Sequence, residues 1–230
     1  MEYSTLRKRA RENLRGKWGI SVAAAFVAAL FGALVSSSGG VVSFTQNLDE
    51  ELVYELPDTI IQMIALLASV GGVLGFASFV IGGTVQLGYC KFLLNQHDGQ
   101  PHSLSDLFSQ FDRFGTGFAQ AFLQGLYVFL WCLLFVIPGI VKSFSYAMTP
   151  FLLAEYPELT ANQAITLSRK IMNGHKLDLF FLSLTFIGWS LLNILTLGIG
   201  SLFLNPYVNA TWAAFYRQLQ AETRHTTVEG

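Results

Sequence analysis

The chain has 230 residues, 52% of them hydrophobic and only 13% charged, with a formal net charge of -1 and 20 phenylalanines. Ordinary soluble domains carry about 25% charged residues, so this composition argues against a soluble protein and gives no basic or acidic excess that would point to nucleic acid. The two cysteines, Cys90 and Cys132, have neither CxxC spacing nor clustered histidines, which reads as apolar filling and excludes a disulfide framework or a metal site.

In chain order, six of the 14 basic residues (Arg7, Lys8, Arg9, Arg11, Arg15 and Lys17) precede the first apolar run. Leu6, Ala10 and Leu14 share one helical face and Trp18 comes next. The pattern predicts an amphipathic helix against anionic inner-leaflet lipid, with Arg7, Lys8, Arg11, Arg15 and Lys17 as its contacts. A plain orientation signal is the simpler alternative. Gly19–Ser37 contains no Asp, Glu, Lys or Arg and approaches the roughly 20 residues of one span. A basic start, an apolar core and SSS also have the shape of a cleavable leader. The helical patterning of the basic part and the later spans favour a retained first span.

Residues 38–58 hold Asp49, Glu50, Glu51, Glu55 and Asp58 and no Lys or Arg. The positive-inside bias therefore puts the N-terminus in the cytoplasm and this loop outside. Thr59–Tyr89 is a 31-residue uncharged run, about 46 Å of helix at 1.5 Å per residue. It reads as one long, tilted or protruding helix, bent near Gly71-Gly72. Its glycines, with one GxxxG at Gly71–Gly75, suit close helix packing. Residues 90–114 read as a polar segment. Within it Ser103 and Asp106 fit a helix start, and Leu104, Leu107, Phe108, Phe111 and Phe114 form an apolar stripe on a membrane-surface helix.

Gly117–Ile137 is a third span. Pro138-Gly139 predicts the reversal, and Ile140–Tyr156 returns as a short fourth. Thr160 with Gln163 fits a capping box for a second surface helix, with Ala161, Ala164, Ile165, Ser168 and Met172 on its apolar face. Leu177–Leu197, a GIG turn and Ser201–Tyr216 complete a fifth and sixth span. Arg169, Lys170, Lys176, Arg217 and Arg224 mark the cytoplasm. The fold class expected is all-α: a polytopic integral membrane protein of about six transmembrane helices, arranged as three hairpins with amphipathic cytoplasmic surface helices. Residues 1–230 form one membrane domain with pseudo-repeats at 4–95, 103–156 and 159–220. RGKWG before the first span echoes NGHKLD before the fifth.

Lys142 is the one basic residue this layout leaves on the outer half, three residues past the expected turn, where its stem can reach the headgroups. Lys142, Ser145, Tyr146 and Thr149 share one face of the fourth span. Pro150 frees the carbonyl of Tyr146, and Asn205 and Asn209 align in the sixth span around Pro206. Together they form a candidate polar seam lining a cavity for ions or a lipid headgroup. The plainer reading is that Ser, Thr and Asn stitch helices together. No HExxH, GxSxG or Walker loop occurs, and His97, His102, His175 and His225 do not pair at metal-ligand spacing. No catalytic residue, cofactor or enzymatic activity is expected.

The blocks ARENLRGKWG, DLFSQFDRF, LLFVIPGIVKSFSYAMTPFLLAE, SRKIMNGHKLDLFFLSLTFIGWSLL and LTLGIGSLFLNPYVNATWAAFY occur in an order that resembles the bacterial domain-of-unknown-function family numbered 975. The resemblance covers nearly the whole chain except the acidic loop. It implies a multi-pass protein of the bacterial cytoplasmic membrane and carries over no activity and no catalytic residue; the charge distribution is what puts both termini inside. A fainter similarity to the membrane-spanning part of some bacterial glycerophosphodiester phosphodiesterases hints at lipid context. The function expected is a transporter-like or lipid-handling component, in contact with anionic lipid and a membrane-protein partner or second copy. The alternative is a structural or regulatory partner of another membrane complex, or an envelope-stress factor.

Overall fold

A computed structural model describes residues 3–28, 80–189 and 200–228. The acidic loop at 38–58, the Gly71–Gly75 motif and Asn193 lie outside the described residues. Every described element is helical: α1 (Tyr3–Leu14), α2 (Trp18–Ala28), α3 (80–97), two 3₁₀ turns (Leu104–Phe108 and Phe111–Arg113), α4 (Phe114–Leu134), α5 (Val136–Tyr146), α6 (Thr149–Glu155), α7 (Ala161–Ile171), α8 (Lys176–Leu184) and α9 (Ser201–Val228).

The apolar face of α1 forms as its spacing predicts, with Leu6, Ala10 and Leu14 fully buried. It is buried against α9, however, and not presented to a bilayer. Two of its arginines turn the same way: Arg7 Nε donates to the Tyr207 hydroxyl at 3.3 Å, and the Arg11 guanidinium lies 6.0 Å from the Tyr207 ring. Of the expected row of lipid contacts, Lys8, Arg11 and Arg15 are exposed and Arg7 and Lys17 half-buried.

The helix α3 runs through to His97, well past Tyr89, and buries Phe92, Leu93 and Leu94. The polar segment expected at 90–114 is therefore shorter. Gln96 holds this end, donating to Ser21 Oγ at 2.7 Å inside the core. Further back, Gly83 lies on the backbone of Gly117 and Gly88 on that of Leu107, so closely that a Cβ at either would collide with a carbonyl. Missing side chains let two backbones approach, which is the use predicted for these glycines.

Ser103 caps the next segment with Asp106 in its first turn, as expected, and Asp106 also completes a capping box, but the segment forms two 3₁₀ turns and not an α-helix. Of the five-residue stripe only Leu107 is buried. One inward residue cannot stabilise an amphipathic helix, so the chain tightens into short turns.

The hairpin of α4 and α5 turns at Phe135, whose backbone is extended (φ -159°, ψ 142°). Pro138 lies in the first turn of α5, where the N–H groups have no intrahelical partner and proline costs nothing. Gly139 serves the packing, seated against Cys132. The predicted reversal is thus displaced by three residues. The core lies where α1, α3, α6, α8 and α9 converge, around Phe92, Met148, Leu153, Leu179, Phe215 and Tyr216. In contrast, α4 buries only Gly117 and Gln120 of its 21 residues.

Candidate functional site

The site begins with a break in the helix. Pro150 sits at the start of α6 and cannot donate to a preceding turn, and the chain interrupts at Ala147–Met148 between α5 and α6. A backbone acceptor is taken up at this break, as the sequence implies, but it is the carbonyl of Ser145 and not that of Tyr146. It accepts a 2.9 Å hydrogen bond from the Oγ of buried Ser168 on α7. That bond fastens α7 alongside α5 and brings the two helices' basic residues together.

They enclose a recess of about 460 Å³ lined by Lys142, Ser145, Thr166, Arg169, Lys170, Asn173 and Lys176. Lys142 Nζ lies 4.5 Å from the centre of the Trp131 ring on α4, a cation–π distance that orients it. Arg169 and Lys176 both act on it as like charges. Lys142 is therefore grouped with the basic residues of the α7–α8 segment. This corrects its placement as the isolated cation of the opposite side. With the turn at Phe135, Lys142 lies seven residues along α5, about 10 Å from the turn at 1.5 Å per residue, and not three residues from it.

The rest of the seam divides. Ser145 lines the recess, and its Oγ donates to Val141 O at 2.9 Å. Tyr146 is buried with its ring against Tyr127, and Thr149 is fully buried with its Oγ1 unpaired. Asn205 and Asn209 lie on α9, where the Asn209 amide donates to Asn205 O at 2.8 Å and the side chain adjoins Tyr89. They belong to a different part of the bundle, so the six residues do not line one cavity. The Asn209 bond stays within α9 and Thr149 Oγ1 has no hydrogen-bond partner, so neither joins one helix to another.

A second polar assembly had no signal in the sequence beyond its separate charges. The Arg217 guanidinium bonds Asp98 through Nε (3.1 Å) and Nη2, and reaches Glu155 Oε1 at 2.5 Å through Nη1. Glu155 Oε2 also accepts from the Tyr216 hydroxyl and the Gln220 amide, both at 2.6 Å. Burial alone would lower the guanidinium's pKa, but the hydrogen bonds to both carboxylates raise it above the ordinary value. Nearby, Arg113 donates to the carbonyls of Leu153 (3.0 Å) and Leu159 (3.5 Å), covering the C-terminal end of α6. These contacts tie the C-terminal ends of α3 and α6 to the middle of α9 and keep every member occupied.

The recess residues that sequence reasoning passed over are Thr166, Arg169, Lys170, Asn173 and Lys176. The signal for all but Thr166 was the block SRKIMNGHK, which serves as a topology marker as long as α7 is treated as separate from α5. Among the described residues no group of His, Cys, Asp and Glu could hold a metal ion.

No curated protein and no solved structure matches the chain. Residues 133–223 match the family model described as protein of unknown function (DUF975). That stretch begins beside the hairpin turn and takes in the four cations of the recess, Glu155 and Arg217, so the similarity to this family covers most of the residues that build the site.

Proposed function

We propose that the chain is a multi-pass component of the bacterial cytoplasmic membrane that handles lipid, without enzymatic chemistry of its own. Its architecture in this reading is six spans in three hairpins with both termini in the cytoplasm. The observation that carries it is the inversion of α4. This helix is 21 residues, about 31 Å at 1.5 Å per residue, against a hydrocarbon core of about 30 Å. Its outward residues are Phe122, Leu126, Phe129 and Leu130, continued at the turn by Leu133 to Ile137, each of these last five 64–76% exposed. An apolar surface on this scale needs an apolar solvent. Leu104–Leu134 and Val136–Glu155 are both long and apolar enough to cross a membrane.

Two further features support the layout. Asp98, Glu155 and Arg217 fall at segment ends that the charge bias puts on the inner side, and they meet in one cluster. Both α1–α2 and α7–α8 are helix pairs joined through a left-handed glycine, Gly16 (φ 78°) and Gly174 (φ 89°), in keeping with the echo between the first and third units. The lipid assignment is favoured by a basic recess opening beside the outward-facing hairpin. The test is reconstitution of the full chain in vesicles containing fluorescent phosphatidylglycerol. Transbilayer movement or extraction of that lipid is expected, and Lys142→Ala should lower it with an unchanged helical circular dichroism spectrum.

One observation favours a second reading, that of a non-transporting structural or regulatory partner of another membrane complex. Tyr146 and Thr149 face the packed core and not a passage. Lipid movement equal to protein-free vesicles, for wild type and Lys142→Ala alike, would leave that reading in place.

A further inference from the structure

Four cations from three elements face one volume: Lys142 of α5, Arg169 and Lys170 in the last turn of α7, and Lys176 at the start of α8. The ion pairs among the described residues join His97 to Asp98, His175 to Asp178 and Glu222, and Arg217 to Asp98 and Glu155. None of the four is in that set. Like charges gathered without a counter-ion repel one another, and the gathering is held by packing: the buried Ser168–Ser145 bond fixes α7 on α5, and Trp131 holds Lys142. An anion in the recess would convert repulsion into attraction.

The donor set indicates which anion. A carboxylate offers two oxygens and is matched by one arginine fork. Four cations converging from three elements, one of them a guanidinium, beside the Asn173 amide, suit a tetrahedral phosphoryl group, whose oxygens do not lie in a single plane. A groove of about 550 Å³ adjoins the recess, shares Thr166 and Lys170 with it, and has Leu159 and Leu167 in its wall. A charged group and an apolar chain on one molecule could occupy the two together.

We propose that the recess of Lys142, Arg169, Lys170 and Lys176 binds a phosphoryl group, carried on a lipid headgroup or present as free phosphate. The proposal rests on the lipid-handling reading only for the source of the phosphoryl group. The site itself stands on the charge geometry.

The test uses the full chain in neutral detergent, with Arg169→Gln/Lys170→Gln as the recess variant. Both residues are exposed, so the fold should survive their loss. The charge-matched control is Arg9→Gln/Lys91→Gln, exposed on α1 and half-buried on α3, outside both the recess and the expected row of lipid contacts. Native mass spectrometry reads retention of phosphatidylglycerol against phosphatidylcholine, and calorimetry reads inorganic phosphate. The recess variant should weaken phosphatidylglycerol binding about tenfold or more, the loss of one or two charge-assisted hydrogen bonds, while the control changes it less than about threefold. If inorganic phosphate instead binds wild type alone, without preference for phosphatidylglycerol, the phosphoryl site stands with free phosphate as its source and the lipid-handling reading loses this support. If neither probe distinguishes the recess variant from wild type and the control, the proposal is overturned.

Discussion

Arg217 joins three parts of the chain that are distant in sequence, and its loss would leave Asp98 and Glu155 facing each other without a counter-ion. Hydrogen bonds to charged groups contribute about 1.5–3 kcal/mol each, but these side chains are between one-fifth and about one-third exposed, and solvent screens them. Arg217→Gln should therefore cost about 2 kcal/mol, read as a lowered thermal midpoint in detergent. Arg217→Lys should lie between, because an ammonium cannot reproduce the fork that holds Asp98. The pH dependence has a definite sign. A cation whose folded pKa is raised contributes stability that is complete below its unfolded pKa and fades only above it. For an arginine that window lies far above neutrality, so titration of Arg217 adds no slope to stability in the neutral range. Ser168 is the other residue whose single bond crosses elements. Ser168→Ala would leave the Ser145 carbonyl unpaired at the helix break, a loss of about 1–3 kcal/mol that should also loosen the recess.

At the scale of elements, glycines decide which helices can touch and where chains turn. Gly82 and Gly83 are neighbours in α3, yet a Cβ on Gly82 meets nothing within 4 Å while one on Gly83 meets the Gly117 carbonyl. Gly83→Ala should therefore destabilise the α3–α4 contact by about 1–3 kcal/mol. Gly82→Ala should be neutral or stabilising by up to about 1 kcal/mol through helix propensity. Equal thermal midpoints for the two variants would contradict the crossing. Gly174 differs in kind, since its surroundings are open and only its positive φ restricts it. Gly174→Ala should cost about 1–2 kcal/mol, and Gly174→Asn less. Local chemistry of this sort is legible in sequence. The caps at Ser103 and Thr160, the apolar face of α1 and the close-packed glycines all arise from residues a few positions apart. The hairpin turn was not legible, because Pro138-Gly139 fits a reversal and a helix start equally well. Only the docking of Gly139 on Cys132 selects the second. The recess was hidden for the same reason. Its cations are 27 to 34 positions apart in sequence from Lys142 to Arg169 and Lys176, and their meeting depends on a hydrogen bond between Ser168 and a carbonyl that no periodicity reveals.

For the whole molecule, the distribution of apolar surface is the reverse of what water would select. The packed core occupies the end where α1, α6 and α9 converge, while α4 and the hairpin turn place Leu133, Leu134, Phe135, Val136 and Ile137 outward. This arrangement gives a prediction whose sign depends on the solvent. In water, replacing an exposed apolar side chain by lysine removes a sticky surface and should raise the soluble yield. In a bilayer the same change places an ammonium at hydrocarbon depth, at a cost of about 2.5–3.5 kcal/mol for each central lysine, less what the stem recovers by reaching the interface. Phe122→Lys/Leu126→Lys, near the middle of α4, leaves the described core untouched, so folding itself should not suffer. Expressed in a bacterial host and fractionated, the wild type should stay in the membrane pellet after alkaline carbonate extraction. The double variant should give less membrane-integrated protein and no gain in the soluble fraction. A rise in soluble, helical, monomeric protein would instead mean that the outward face meets water, and the membrane reading built on α4 would fall with it.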